Sequence, residues 1–371
     1  MTPRLNPGAL PPVRSLAAPG RRQATALPGL NAAAWQPHAL HGGDAVWVEK
    51  NCYVDLWIEL LHAQGLEPRA LWPFALALDF EGDQFTFFKP PHAELRRLYG
   101  LDVQELTLWR PLAVHAIEHL AAGRLVSVEA DAFWLPDVAG TDYRHTHAKT
   151  TIVLNDVDLD AQRLGYFHNA GYFELAGEDF IRTLQLDPAS GQPLPVSALA
   201  SPGQACPPLP LFAEFIRTDR RVQRATDELQ ALALGHLREH LAWCPADNPV
   251  TRLAERLVDE VPVLRERGLE HYHLWAFGSI RQLGAAFEFA AEGLRWQLGQ
   301  GQGQGPLSAE QAAALAPVPE DLMQVARTAK TLILKMARAV ASPRPVDLAP
   351  LLDEAAQAWQ RALGRLQRTL G

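Results

Sequence analysis

Residues 149–175 read KTTIVLNDVDLDAQRLGYFHNAGYFEL. KTTIVLNDVD and RLGYFHNAGYFEL have the β-branched and aromatic content of two or three strands, and Asp156–Gln162 between them has the composition of a hairpin-like turn. Just upstream, LVSVEADAFWLP at residues 125–136 reads as a buried strand stopped by Pro136. Short connections between strands of this kind imply antiparallel pairing. Further out, NCYVDLWIELLHAQG at residues 51–65 carries a helical stripe of Val54, Trp57 and Leu61. Asn51 is placed to supply the N-cap oxygen, and Gly65 is a natural stop. A helix followed by an antiparallel sheet predicts α+β and not a doubly wound sheet.

Beyond Ser190 the texture changes. The stretch SGQPLPVSALASPGQACPPLP has linker composition, and the chain after it is almost all helical in pattern. The clear runs are Leu209–Trp243, Val250–Arg267, His271–Leu298, Glu320–Val340 and Leu348–Leu370, which predict a helical bundle. The first 43 residues hold Arg4, Arg14, Arg21 and Arg22, no acid and repeated prolines, which predicts a loosely draped arm. The expected layout is an arm at 1–44, an α+β domain at 45–189, a linker at 190–208 and a helical bundle at 209–371.

Composition narrows the function. The net charge of -8 argues against a nucleic-acid partner, which calls for a basic face. No run approaches the ~20 apolar residues of a membrane span, and no apolar segment follows the early arginines as a secretory signal requires. With 48% hydrophobic residues the chain is not of the disordered class. Three cysteines, Cys52, Cys206 and Cys244, are too few and too scattered for a disulfide framework or a structural zinc site. A reducing cytoplasm is the expected setting.

Three places carry candidate chemistry. Cys52 would open the first helix, where free backbone N–H groups and the positive end of the dipole favour thiolate; a small buried residue is the alternative. His147 stands just before a strand, where it could act as a base. His145, two positions earlier, would share its side in extended backbone, but a metal there would need His168 or Asp131 as a third ligand, and no motif supports one. Asn169, after the strand ending at Phe167, could accept from His147 Nδ1 and fix its tautomer, or could serve only turn geometry.

The order Cys…His…Asn on an α+β domain resembles the papain-like cysteine hydrolases and transferases over about residues 47–180. That resemblance implies Cys52 as nucleophile, His147 as base and Asn169 as orienter. Papain-like enzymes carry an oxyanion Gln shortly before the cysteine. Here the nearest upstream Gln is Gln36, so the Cys52 N–H and the Asn51 side chain are the expected donors. Longer strings, among them WVEKNCYVDLWIELLHAQGLEPRA, DFEGDQFTFFKPP and LGYFHNAGYFEL, resemble a bacterial family catalogued as domain of unknown function 1839. The layout also resembles the amino-terminal domain of the butirosin-biosynthesis acyltransferases. Asp131, Phe133, Leu135 and Pro136 match that family's middle element, His147 its next, and Asn169 stands where an Asp is usual.

These resemblances imply an acyl or aminoacyl transferase that draws its acyl group from a carrier-protein thioester and delivers it to a small-molecule amine or hydroxyl. Such an enzyme needs no bound cofactor of its own, since the carrier presents the phosphopantetheine. Asp131, His145 and His168 are candidates for supporting roles beside the triad. Asp79, Glu81, Asp83 and Trp134 are candidates for binding a cationic acceptor, and Arg96 and Arg97 for docking an acidic carrier. A hydrolase on the same triad and a non-catalytic binding or assembly protein are the competing readings.

Overall fold

The computed structural model describes residues 20–193, 211–299, 306–342 and 346–371. Along the chain, β1 (Gln23–Thr25) precedes α1 (Cys52–Ala63), a 3-10 segment (Pro68–Ala77), and the short hairpin β2 (Phe80–Glu81) and β3 (Gln84–Phe85). Then come α2 (His92–Tyr99), β4 (Asp102–Glu105), α3 (Leu112–Ala121), β5 (Leu125–Asp131), β6 (Lys149–Asp158), β7 (Arg163–His168), β8 (Gly171–Ala176), α4 (Gly177–Thr183) and β9 (Ala213–Arg217). The helical region follows as α5 (Thr226–Leu241), α6 (Pro249–Ala276), a π-helical turn (Phe277–Arg281), α7 (Gln282–Leu298), α8 (Ala309–Leu315), α9 (Val318–Ala341) and α10 (Ala349–Leu370). The fold is α+β, an antiparallel sheet region followed by a helical region.

Two compact units are interleaved along the chain and do not follow one another at Ser190. The first holds Met1–Trp35, Val103–Phe167 and Tyr172–Asp219; the second holds Gln36–Asp102, His168–Gly171 and Arg220–Gly371. Residues 45–102, expected in the α+β domain, therefore belong with the helices, as do residues 36–44 of the expected arm. The expected linker lies outside the described residues from residue 194 onward.

The first unit is built on the sheet, in the order β4-β9-β5-β6-β7-β8, with β1 also on β6. β5 runs antiparallel to β6 from Val126↔Leu154 to Asp131↔Lys149. β1 continues along β6 through Gln23↔Asp158 and Thr25↔Asp156. The register on β7 shifts between Leu154 and Asp156, so Asn155 bulges. Its side chain then brackets Leu27, accepting from Leu27 N at 2.8 Å and donating to Leu27 O at 3.1 Å. Residues 22–27 are thus bound to the sheet and not part of the loose arm expected. Below the sheet, Leu112, Ala116, Ile117 and Leu120 of α3 pack on Val126, Val128, Ile152, Leu154, Leu164 and Tyr166. The segment expected to start a helix at Leu209 instead supplies β9, paired with β5 through Leu125↔Ile216 and Val128↔Ala213. AEFIR is five residues with two β-favouring side chains, short enough to be hidden by the long helical pattern that begins at Thr226.

The second unit packs α1 and the 3-10 segment with α5–α10. α7 is its central element, buried on most positions, and two glycines let tryptophans press against its backbone. A Cβ at Gly284 would lie 2.4 Å from the Trp47 ring, and one at Gly293 would lie 2.0 Å from Trp72 Cβ. Trp47 and Trp72 are both buried. The two helices expected to either side of Gly268 join without a loop as α6, kinked at that glycine (φ 83°, ψ -177°), and the π-helical turn follows.

Replacing glycine by alanine inside a helix normally stabilises it by up to ~1 kcal/mol. Gly235→Ala in α5, where nothing lies within 4 Å of the new Cβ, should follow that rule. Gly293→Ala should reverse it and lower stability by ~1–3 kcal/mol through overpacking against Trp72. Urea denaturation of the two variants checks this; equal effects in both would contradict the close packing.

Candidate functional site

Cys52 is the first residue of α1, and the preceding Asn51 is the cap. Asn51 is extended (φ -149°, ψ 159°), and its Oδ1 accepts from Tyr53 N at 3.1 Å and Val54 N at 2.9 Å. Its backbone carbonyl accepts from Asp55 N at 3.0 Å. Among the described residues the Cys52 N–H is left as the free donor of the first turn. The Asn51 Nδ2 donates to Phe88 O at 3.0 Å and Gln282 Oε1 at 3.4 Å, and the residue is 1% exposed. Asn51 is therefore not the second oxyanion donor expected; both ends of its amide hold the helix start in place.

The loop before Asn51 is fixed by the helical part of the same unit. Glu288 of α7 accepts from Val46 N at 2.6 Å and Trp47 N at 2.7 Å. The Trp47 indole donates to Ala326 O at 3.0 Å. Arg281, at the end of the π-helical turn, donates to Lys50 O at 3.2 Å and Glu49 O at 3.3 Å. A π turn adds a residue to the helical repeat and re-aims the side chains after it; here those are Arg281 and Gln282.

A buried charge cluster ties the same loop to α1. His41 Nδ1 lies 2.6 Å from Glu59 Oε1, and Nε2 lies 3.0 Å from Asp55 Oδ1. All three side chains are fully buried. With a carboxylate on each ring nitrogen, both must donate, so the ring is imidazolium. Burial alone would lower its pKa, but the hydrogen bonds to Asp55 and Glu59 outweigh that and raise it. Asp55 also accepts from Lys50 N at 2.8 Å. By contrast, His38 is pushed down to about 4, chiefly by burial, and is neutral at pH 7.

In the first unit, His147 donates from Nδ1 to Asp131 Oδ2 at 2.7 Å. The two are sixteen residues apart, but Asp131 ends β5 and His147 stands two residues before β6, and the antiparallel pairing brings them together. Asp131 is itself held, since its Oδ1 accepts from Phe133 N at 3.1 Å. The imidazole also stacks on Phe133, with ring centroids 4.3 Å apart and planes 13° apart. His147 is 69% exposed at its side chain, and its Nε2 has no partner among the described residues. The hydrogen-bond partner of His147 Nδ1 is thus Asp131, where Asn169 was expected. Asn169 has a left-handed backbone (φ 43°) in the β7–β8 turn, a conformation asparagine tolerates, and serves that geometry.

The other expected residues are dispersed. His168 is buried at the end of β7, and His145 is exposed in the turn before His147. Trp134 sits beneath the Arg144 guanidinium at 4.5 Å and Arg182 at 5.3 Å, in the first unit. Asp79 is ion-paired with Arg252, while Glu81 and Asp83 flank the exposed β2–β3 turn, all in the second unit. The structure does not gather these four as one acceptor site within either unit. Arg96 pairs with Asp102 and Arg97 with Glu239. Cys52 and Asn169 belong to the second unit, His147 and Asp131 to the first.

The thiols differ sharply. Cys244 donates to Leu76 O at 3.3 Å, and burial pushes its pKa up to about 12, an inert environment. Cys52 is partly exposed. Cys206 lies outside the described residues. No group of three or more His, Cys, Asp or Glu among the described residues is placed to hold a metal ion, and no described helix is long and apolar enough to cross a membrane.

Two family models cover most of the chain. The DUF1839 N-terminal domain matches residues 36–199 and the DUF1839 C-terminal domain residues 226–368. The chain belongs to the DUF1839 family. No curated protein matches it. The DUF1839 N-terminal match begins at Gln36, where the second unit also begins, and spans parts of both units. Sequence reasoning for this DUF1839 chain missed the His41–Asp55–Glu59 cluster. The available signal was an acidic pair four apart on the otherwise apolar α1, which on burial demands a cation.

The cluster sets a pH dependence. A histidine whose folded pKa is raised stabilises the fold fully below its unfolded pKa of about 6.5 and loses that contribution as pH rises through the folded value. His41→Gln should cost about 3 kcal/mol or more at pH 6, because it leaves two buried carboxylates uncompensated. The gap between wild type and variant should narrow as pH rises above 7. Denaturant titrations from pH 5.5 to 9 check this, and a gap that widens with pH would contradict the assignment.

Proposed function

We propose that this DUF1839 protein is a cysteine-dependent acyl or aminoacyl transferase, with Cys52 as nucleophile and His147, oriented by Asp131, as general base. The observation that carries the reading is the 2.7 Å hydrogen bond from His147 Nδ1 to Asp131. It keeps the Nδ1 proton in place and leaves the exposed Nε2 lone pair as a base. Support also comes from the thiol position at the start of α1, where the thiol is partly exposed and the Cys52 N–H is free to donate to an oxyanion.

The donor in this reading is a thioester on the phosphopantetheine arm of a carrier protein. The Cys52 thiolate attacks the thioester carbonyl, the C–S bond to the arm breaks, and the arm leaves as a thiolate. The acyl group then rests on Cys52. An amine or hydroxyl of the small-molecule acceptor attacks it, His147 Nε2 takes the acceptor proton, and the Cys52 sulfur leaves. Because a thioester is activated, no acid is needed to expel an amine. Arg96 and Arg97, each 57% exposed despite their ion pairs, can exchange those partners for acidic groups of a carrier.

Intact-mass analysis after incubation with a set of acyl- and aminoacyl-carrier thioesters tests the proposal. The expected result is one acyl increment, absent in Cys52→Ala, that passes to an added amine. Asp131→Asn should slow that passage by roughly a hundredfold or more. Rapid loss of the increment to water would make the protein a hydrolase. An increment that persists in Cys52→Ala, or none with any carrier, would sink the proposal.

A further inference from the structure

A cavity of about 490 Å³ opens within the second unit, inside the size range of small-molecule sites. Its lining is dense in charge of both signs, and most of that charge is internally matched. Arg69 forms a two-point pair with Glu67 at 2.7 and 2.6 Å. Arg295 pairs with Glu292, and Arg327 pairs with Glu320 at 2.5 Å. Glu288 accepts the two backbone N–H groups of Val46 and Trp47.

Two lining charges differ. Lys50 is 1% exposed, yet its ammonium meets only backbone carbonyls, Leu40 O at 2.7 Å and Trp47 O at 3.0 Å. Among the described residues no carboxylate lies within ion-pair distance of it. One of its three N–H donors is unused. Asp44, exposed on the same lining, has no cation within ion-pair distance among the described residues. A buried ammonium without a carboxylate in direct contact is costly. Burial lowers the Lys50 pKa, while the more distant carboxylates of Asp55, Glu288 and Glu292 act the other way without touching the ammonium.

We infer that this cavity binds a small zwitterion of the α-amino-acid type, its carboxylate on Lys50 and its ammonium toward Asp44. An anion alone would meet Asp44, Glu288 and Glu292, and a cation alone would meet Lys50 and three arginines; a zwitterion complements both unmatched charges. Leu40, Ala45 and Met323 on the lining provide apolar contact for a short side chain. The inference concerns binding alone and stands apart from acyl transfer.

Saturation-transfer NMR on the full chain tests it, with L-alanine and L-leucine as probes and acetate and ethylammonium as single-charge controls. Both amino acids should bind, and each control should bind at least tenfold more weakly. Lys50→Met and Asp44→Asn should each weaken amino-acid binding by tenfold or more. Lys50 is buried and its replacement can disturb the fold, so the exposed Asp44→Asn variant carries the test by itself. No binding of either amino acid, acetate binding as tightly as alanine, or unchanged binding in Asp44→Asn would overturn the inference.

Discussion

The second unit depends on a buried imidazolium. His41 sits between Asp55 and Glu59, one turn apart on α1, and all three side chains are closed to solvent. Bringing three charges out of water is expensive, and the arrangement persists because every one is matched by a short charge-assisted hydrogen bond. The benefit is geometric. The cluster fastens the loop at residues 38–50 to α1, and Asp55 simultaneously takes the backbone N–H of Lys50. The chain is thereby brought to Asn51 in the extended conformation that capping requires, and Cys52 becomes the first helical residue.

The helical region completes that setting from the other side. Glu288, Ala326, Arg281 and Gln282 each bond a residue between Val46 and Asn51, immediately before the thiol. The π-helical turn and Gly284 of α7, against which Trp47 packs, are the local irregularities at these contacts. The helices are therefore a bed for the start of α1, which explains why Gln36–Asp102 folds with them and not with the sheet.

Much of this was legible in the sequence where periodicity is long. The α1 stripe, the Asn51 cap, the β5–β6–β7 meander and the later helices are all readable from spacing. β9 was not, because five residues beside a long helical pattern carry little signal. Nor was the interleaving of the units, which depends on packing between distant segments. At the site, His147 stood out by its place before a strand, whereas its partner did not. Asn169 attracted the role by chain order, but antiparallel register puts the end of β5 beside the start of β6, and that makes Asp131 the neighbour. Asn51 was read correctly as a cap and wrongly as an oxyanion donor, since sequence cannot reveal that Phe88 O and Gln282 already occupy its amide.

The central claim is that one thiol is set apart for chemistry by where α1 begins. Site-resolved alkylation of the native protein with limiting iodoacetamide, mapped by peptide mass spectrometry, measures this directly. The account predicts that Cys52 is modified far faster than Cys244, whose thiol is buried, hydrogen-bonded to Leu76 O and pushed up to about 12. Equal rates at the two sites, or Cys244 reacting first, would contradict it.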